Sequence, residues 1–440
     1  MSTSVGAAGP APQGTGPAKS PGRSGPSPRR GPLAPGGRTR RLLVATALGL
    51  LALSIARVMA DEPVLTSSGT MTAVLGLSLP IALAGLAGLV SERAGVVNIG
   101  LEGMMILGTW GAGYGGYQYG VWGAFLGALL AGTFGGLLHA VATVSFGVDH
   151  IVSGVAINLL AAGAVRFLSE LLYKGVPGGG PTQSPTVRGG VSTFDLPVLS
   201  SGPDLLGRAE DTGLPVVADL AGILRGFTTD LTVFAVLGLA LFPFFAFFLW
   251  RTALGLRWRA AGENPYAAQS LGVDVYRMKY LAVLTSGALS GLGGLFIVLF
   301  SGLYKEGQTG GRGFIGLAAM IFGNWRPGGV VGGSLLFGFS DAVRLRSSGS
   351  GGVLALFLFA AILLAALAVR QLARGHRLHG AALAGIATAA ALTWSGLDSL
   401  PNEVTTMTPY IVTLLVLVIS SQNLRMPTYD GVVYRRGEDH

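Results

Sequence analysis

The sequence predicts an all-α polytopic membrane protein of about 10–12 transmembrane helices with an inverted internal repeat. Three observations carry that prediction. Half of the 440 residues are hydrophobic and only 12% are charged, against roughly 25% charged in a soluble globular domain. Mean hydropathy is +0.59. Apolar runs long enough to cross a bilayer core of roughly 30 Å recur down the chain, and two of them share a sequence pattern.

Residues 1–41 are rich in Gly, Pro, Ser and Ala, with seven basic residues and no acid. That composition cannot build a core and reads as a disordered, basic cytoplasmic tail. It is too long and polar for the charged start of a signal peptide. Spans follow at 43–60, 71–91, 100–118, 121–146, 151–173 and 230–250. The segment 174–229 carries four basic and five acidic residues. By parity it is extracytoplasmic, and its Pro and Gly content predicts irregular or short-strand structure.

Six crossings from an inside start return the chain to the cytoplasm at Arg251. The loop 251–279 agrees independently: Arg251, Arg257, Arg259, Arg277 and Lys279 outweigh Glu263 and Asp274, and cytoplasmic loops collect Lys and Arg. A span at 280–303, two shorter pieces at 314–323 and 328–343, and spans at 352–369, 380–397 and 407–424 complete the permease domain, 42–424. Residues 425–440 are then a cytoplasmic tail. Arg344 and Arg346 fall outside under this count and have no explanation at this level.

The repeat is visible in two places. Ala82–Leu89 (ALAGLAGL) and Ala288–Leu295 (ALSGLGGL) agree at six of eight positions. Gly95–Gly108 (GVVNIGLEGMMILG) shares Gly, Ile, Gly, Leu and Met in register with Gly311–Asn324 (GRGFIGLAAMIFGN). The first copy enters from outside and the second from inside, so the repeat is inverted. Such proteins form a substrate path where the halves meet, near interrupted helices. The short 314–323 piece is an interruption of this kind.

Several chemistries are excluded or weakened. With no cysteine there is no disulfide, thiolate metal site or cysteine nucleophile. No Gly-Lys dipeptide occurs, so no GxxxxGK[ST] loop can cradle nucleotide phosphates, and ATP chemistry must belong to a partner. No cofactor, metal site or catalytic residue is expected. The pI near 10 reflects basic flanks facing anionic lipid headgroups, not nucleic acid.

Candidate path residues are Asn98, Glu102, Asn158, Phe314 and Asn324. Asn98 and Glu102 share a helical face, and either line the path or cap a broken helix start. Asn158 lies mid-span, as interhelical glue or a path contact. Arg166 and Glu170, four apart, are expected to neutralise each other. His139 and His150 lack metal-ligand spacing and receive no role. The run Phe242–Trp250 (FPFFAFFLW) is read as lipid-facing, with Trp250 in the interface belt.

Four motifs in order, SERAGVVNIGLEGMM (91–105), DHIVSGVAINLLA (149–161), GENPYAAQSLGVDVYRMKYLAVLTSGALSGLGG (262–294) and GRGFIGLAAMIFGNWRPGGVVGGSLLFGF (311–339), resemble the permease subunit of bacterial ATP-binding-cassette importers. The group is that of branched-chain amino acids, ribose and nucleosides, and the first two motifs resemble nucleoside permeases most. The resemblance covers 71–343 and resumes near 409–418.

It implies that 263–272 is a coupling helix docking on an ATPase, with Glu263, Asn264, Ala267, Ala268 and Gly272 matching position by position. It further implies a second permease subunit in a heterodimer, an extracytoplasmic substrate-binding lipoprotein, and a bacterial plasma membrane location. The long N-terminus and a two-span insertion, 352–397, depart from the pattern. Alternatives are the same machinery for simple sugars or branched-chain amino acids, a secondary carrier, which the lack of membrane-depth carboxylates disfavours, or a non-transporting scaffold.

Overall fold

A computed structural model describes residues 35–347, 349–401, 403–408, 411 and 424–437. The chain divides into two compact units, the first ending at Leu48. Its described part is the opening of α1 (Pro35–Ala60). This helix begins inside the segment read as a tail: Pro35 presets the first turn, and the arginines that follow are good helix formers. The rest of the predicted tail lies outside the described residues.

In the second unit, α2 (Ser68–Glu92), α3 (Leu101–Ala140) and α4 (His150–Leu172) are followed by a short antiparallel pair, β1 (Thr193–Phe194) with β2 (Leu231–Thr232). Between those strands lie α5 (Leu205–Asp211) and α6 (Val217–Gly226). Then come α7 (Val233–Arg251), α8 (Ala253–Glu263), α9 (Pro265–Ser270) and α10 (Val275–Ser301). The order ends with α11 (Arg312–Phe322), α12 (Pro327–Arg346), α13 (Gly351–Ala373) and α14 (Arg377–Gly396).

Among the described residues six helices are long and apolar enough to cross a membrane: α2, α3 with its π-helical extension to Ser145, α4, α7, α10 and α13. α3 is folded on itself at Gly120, whose φ of 72° only glycine adopts without strain. A Cβ on Gly111 would sit 2.3 Å from the Gly127 carbonyl oxygen, and one on Gly115 2.1 Å from that of Gly123. The two limbs are therefore antiparallel, as the separate spans 100–118 and 121–146 required. The span expected at 407–424 lies largely outside the described residues.

Helix directions reproduce the inverted repeat. α2 and α10 run antiparallel: Gly293 packs on the Pro80 carbonyl, Gly76 on Phe300, and Lys279 Nζ donates to the Gly95 carbonyl at 3.0 Å. The first limb of α3 runs parallel to α10, through Ser290 Oγ to the Leu101 carbonyl at 2.6 Å and Gly294 against Met105. In the mirrored relation, α11 runs parallel to α2, with Gly85 against Gly316 and Gly88 against Met320. The first piece of each copy thus lies along the second piece of the other. Small residues permit this where lipid supplies no hydrophobic drive.

The 174–229 insertion is built at the start of α2 and is more helical than expected, because α6 buries Ala218, Ala221 and Gly222 on one face. Its anchor is Asp219, fully buried. The carboxylate accepts from Thr66 Oγ1 at 2.6 Å, Arg57 Nη1 at 2.9 Å, the Val216 amide at 3.1 Å, and the Ser54 hydroxyl. Burial pushes this carboxyl up, but the Ser54 and Thr66 hydroxyls, the Val216 amide and Arg57 outweigh it and hold the pKa below the ordinary value. A depressed carboxylate gives stability that is full above its unfolded pKa and is lost as pH falls through the folded one. Asp219→Asn should therefore melt below wild type at pH 7, and the gap should close as pH falls below about 4.

One predicted pairing is revised, and one unexplained arginine finds a partner. Arg166 does not neutralise Glu170: its guanidinium pairs with Glu306, while Glu170 takes Lys174 at 2.9 Å. Residue 306 lies on a loop folded back over the α4 end, which helix periodicity cannot reveal. Arg344 gains an explanation, pairing with Asp341 at 2.8 Å, which also takes Arg312 at 3.4 Å. In the extra hairpin α13–α14, α13 packs Ala355, Leu356 and Leu358 against Leu53 and Ala56 of α1 and Val343 of α12.

Candidate functional site

Between α2 and α3 the chain leaves helix for residues 93–100, and this stretch is pinned by side chains of α2, α3, α4 and α10. His139 Nε2 donates to the Val97 carbonyl at 3.0 Å, so its Nδ1, 2.9 Å from Ser153 Oγ, accepts from that hydroxyl. His150 Nδ1 accepts from the Val97 amide at 3.3 Å. Ser91 Oγ donates to the Val96 carbonyl at 2.7 Å. Backbone groups buried away from water must be paired, and here the histidines pair them. Their lack of metal-ligand spacing hid this role.

Asn158 acts as glue: Oδ1 accepts from the Gly103 amide at 2.7 Å and Nδ2 donates to the Ile99 carbonyl at 3.1 Å. Asn98 is fully buried and donates to Ser286 Oγ at 2.9 Å, while its Oδ1 meets no donor among the described residues. Glu102 does cap a helix, though not its own. Oε1 accepts from the Gly311 amide at 3.0 Å and Oε2 from the Gly313 amide at 2.7 Å, at the start of α11 in the other repeat. A carboxylate there satisfies orphan amides and complements the helix dipole. Gly313 allows the approach, since its Cβ would fall 2.6 Å from Glu102 Cα.

Phe314, on the first turn of α11, is 47% exposed. Asn324 stands apart at the far end of α11, in a left-handed turn with Trp325 (φ 52° and 51°), and accepts from the Arg425 amide at 2.7 Å. Beside it Trp325 Nε1 donates to Glu92 at 2.6 Å, and Arg93 donates to the Trp325 carbonyl at 2.8 Å. Arg93 and Arg259 flank the Trp250 ring, at 5.5 and 5.7 Å from its centroid. Trp250 thus joins the α7 end to both arginines. Of the aromatic run on α7, Phe244 and Phe247 point outward but Phe242, Phe245 and Leu249 are buried.

The α8–α9 turn lies at the opposite end of α2 from the 174–229 insertion. Asn264 Oδ1 accepts from the Ala267 amide at 2.9 Å and starts α9, with Pro265 as its first residue. Glu263 faces Arg93 at 3.8 Å and accepts from Thr428 Oγ1 at 3.2 Å. Ala268 is buried, packing with Ala261, Val275, Met278 and Tyr434. Ala267 and Gly272 are exposed, and Gly272 holds φ 80° with open space beside it. Leu271, at the tip, is 85% exposed.

A family described as branched-chain amino acid transport system / permease component matches residues 70–367. The chain belongs to that permease family. The permease is 32% identical over 374 residues to the guanosine ABC transporter permease protein NupQ of Bacillus subtilis, covering 83% of this chain and 96% of the relative. It is 32% identical over 367 residues to the nucleoside ABC transporter permease protein NupC of Lactococcus lactis, covering 81% and 93%. A more distant relative is the glucose ABC transporter permease protein TsgB13 of Haloferax volcanii, 26% identical over 267 residues, 59% of this chain and 65% of that one. No solved structure matches. With its six apolar helices, the permease is a multi-pass membrane protein.

Proposed function

We propose that the permease forms one half of the membrane pore of an ATP-driven nucleoside importer in a bacterial plasma membrane, with both termini cytoplasmic. The observation that carries this reading is the α9 tip. A short capped helix presents an exposed leucine and a left-handed glycine at the end of the α2–α10 pair, where a partner ATPase could push on both repeats. Glu263, Asn264, Ala267 and Gly272 form or shape that docking surface, while Ala268 supports it from beneath. The partners are an ATP-binding-cassette ATPase, a second permease and an extracytoplasmic binding lipoprotein. The nucleoside class follows from the two relatives matched over most of both chains.

Asn98, Glu102, Asn158 and Phe314 gather where the broken helices α3 and α11 begin, and Asn324 closes the far end of α11. Alternation between states requires these breaks to hold two arrangements, each favoured by ATP or substrate only through differential affinity. The double variant Glu263→Lys with Gly272→Trp should abolish uptake of labelled guanosine or uridine while leaving the amount of protein in the membrane unchanged. Normal uptake would overturn the coupling assignment. Nucleoside uptake that depends on this gene and resists excess ribose or leucine supports the substrate class. The glucose-permease relative makes simple sugars the second reading, and competition by ribose would favour it.

A further inference from the structure

The segment 424–437 follows the last predicted span and has the composition of a polar tail, yet it is seated along its length on the parts that must move. At its start, the Arg425 amide donates to Asn324 at the end of α11. Three residues on, Thr428 holds Glu263 at the end of α8 through both its amide and hydroxyl, at 3.3 and 3.2 Å. The Tyr429 amide donates to the Gly262 carbonyl at 2.9 Å. The next side chain, Asp430, is buried against Glu92 at the end of α2. Gly431 crosses the extended segment before α3, with a Cβ position 3.2 Å from Val97. Finally the Tyr434 ring, 7% exposed, fills the space under α9. Its hydroxyl donates to Gln269, and its ring stands 5.3 Å from Tyr266 and 5.4 Å from Tyr276.

These contacts matter because α9 has only six residues. So short a helix does not persist by its own hydrogen bonds, so its position is set by what it packs on. Beneath it lie Ala261 of α8, Val275 and Met278 of α10, and Tyr434. The tail among these also reaches Asn324 in the second repeat and Val97 and Glu92 in the first. Side chains that lock an element in place determine how faithfully its movement is passed on.

We propose that residues 425–434 form a transmission strap, with Tyr434 and Arg425 as positioning residues that tie the coupling helix to the broken segments of both repeats. A push on the α9 tip then reaches the two halves together. Without the strap, α9 shifts on its own and ATP is spent without transport. This inference rests on the coupling role proposed for α9.

The test uses the intact complex, purified through a tag on the permease and placed in liposomes with its delivering protein, measuring labelled guanosine uptake and ATP hydrolysis in the same vesicles. Tyr434→Ala is expected to lower maximal uptake about tenfold with an unchanged KM for guanosine while hydrolysis continues, so that ATP used per guanosine rises about tenfold. Tyr434→Phe, which keeps the ring and loses only the bond to Gln269, should stay within about twofold of wild type. Gly431→Ala strains a left-handed turn (φ 79°) and presses on Val97, leaving the core under α9 alone. It should raise ATP per guanosine about threefold, and it provides the reading if Tyr434→Ala does not accumulate.

Unchanged ATP per guanosine in both variants overturns the strap, as does a parallel loss of uptake and hydrolysis, which would mark a purely structural role. Leu271→Asp at the exposed tip separates the two readings. If it uncouples while the strap variants do not, only the strap falls. If it leaves uptake and ATP use unchanged, the coupling role of α9 falls with it.

Discussion

Gly291→Val should leave little folded protein in the membrane. Gly291 lies where α10 crosses both limbs of the α3 hairpin. A Cβ there would be 2.3 Å from the Ala128 carbonyl oxygen and 2.9 Å from Gly132 Cα, while a Cβ on Gly108 would fall 2.4 Å from Gly291 Cα. All of these are backbone atoms on helices already held by further glycine crossings at Gly132 and Gly294, so no side chain can swing aside. Overpacking a dense core costs about 1–3 kcal/mol and occasionally more, and here valine would need to part α10 from the second limb of α3. The readout is the yield and thermal melting of the detergent-purified permease. The control is Gly332→Ala: nothing lies within 4 Å of that position, and helix propensity should make it neutral or stabilising by about 0.5–1 kcal/mol. Equal melting of Gly291→Val and wild type would show that the crossing is looser than these distances imply.

The second large effect is expected at Glu102. In Glu102→Ala the half-buried amide of Gly311 and the buried amide of Gly313 lose their acceptor at the start of α11. Each buried group left unsatisfied costs about 1–3 kcal/mol, and the loss of negative charge at a helix N-terminus adds about 0.3–1 kcal/mol. Because this contact ties the first repeat to the second, the break should lower nucleoside uptake at least about tenfold as well as melting temperature. Glu102→Gln keeps an oxygen acceptor but no charge and should fall between alanine and wild type. A glutamine variant with full uptake would show that charge is dispensable. An alanine variant with full uptake would remove Glu102 from the moving parts altogether.

Both cases illustrate a boundary between local and distant information. The spans realised by the six long apolar helices were legible because crossing a membrane is a property of some twenty neighbouring residues. The turn at Gly120 followed from the break between two apolar runs. The antiparallel placement of α2 and α10 followed from ALAGLAGL and ALSGLGGL entering from opposite sides. A short helix within 263–272 was expected from the family resemblance, and Asn264 and Pro265, which open α9, are local start signals. Those same rules misled at Arg166, where a partner four residues away was the obvious choice and Glu306 is the actual one. His139 and His150 were given no role, since a histidine holding a backbone carbonyl or amide leaves no spacing to read.

What the sequence by itself determined is the class of molecule, its repeat and the family resemblance, because hydropathy and helix signals act over short stretches of chain. What the tertiary structure decided is what those residues hold. Glu102 stood open between lining a path and capping a helix. Only the fold brings the α11 amides, more than two hundred residues later, to its two oxygens. The segment read only as a cytoplasmic tail is seated under α9 for the same reason. A buried polar group must find a partner wherever packing places one, and sequence distance has no part in that choice.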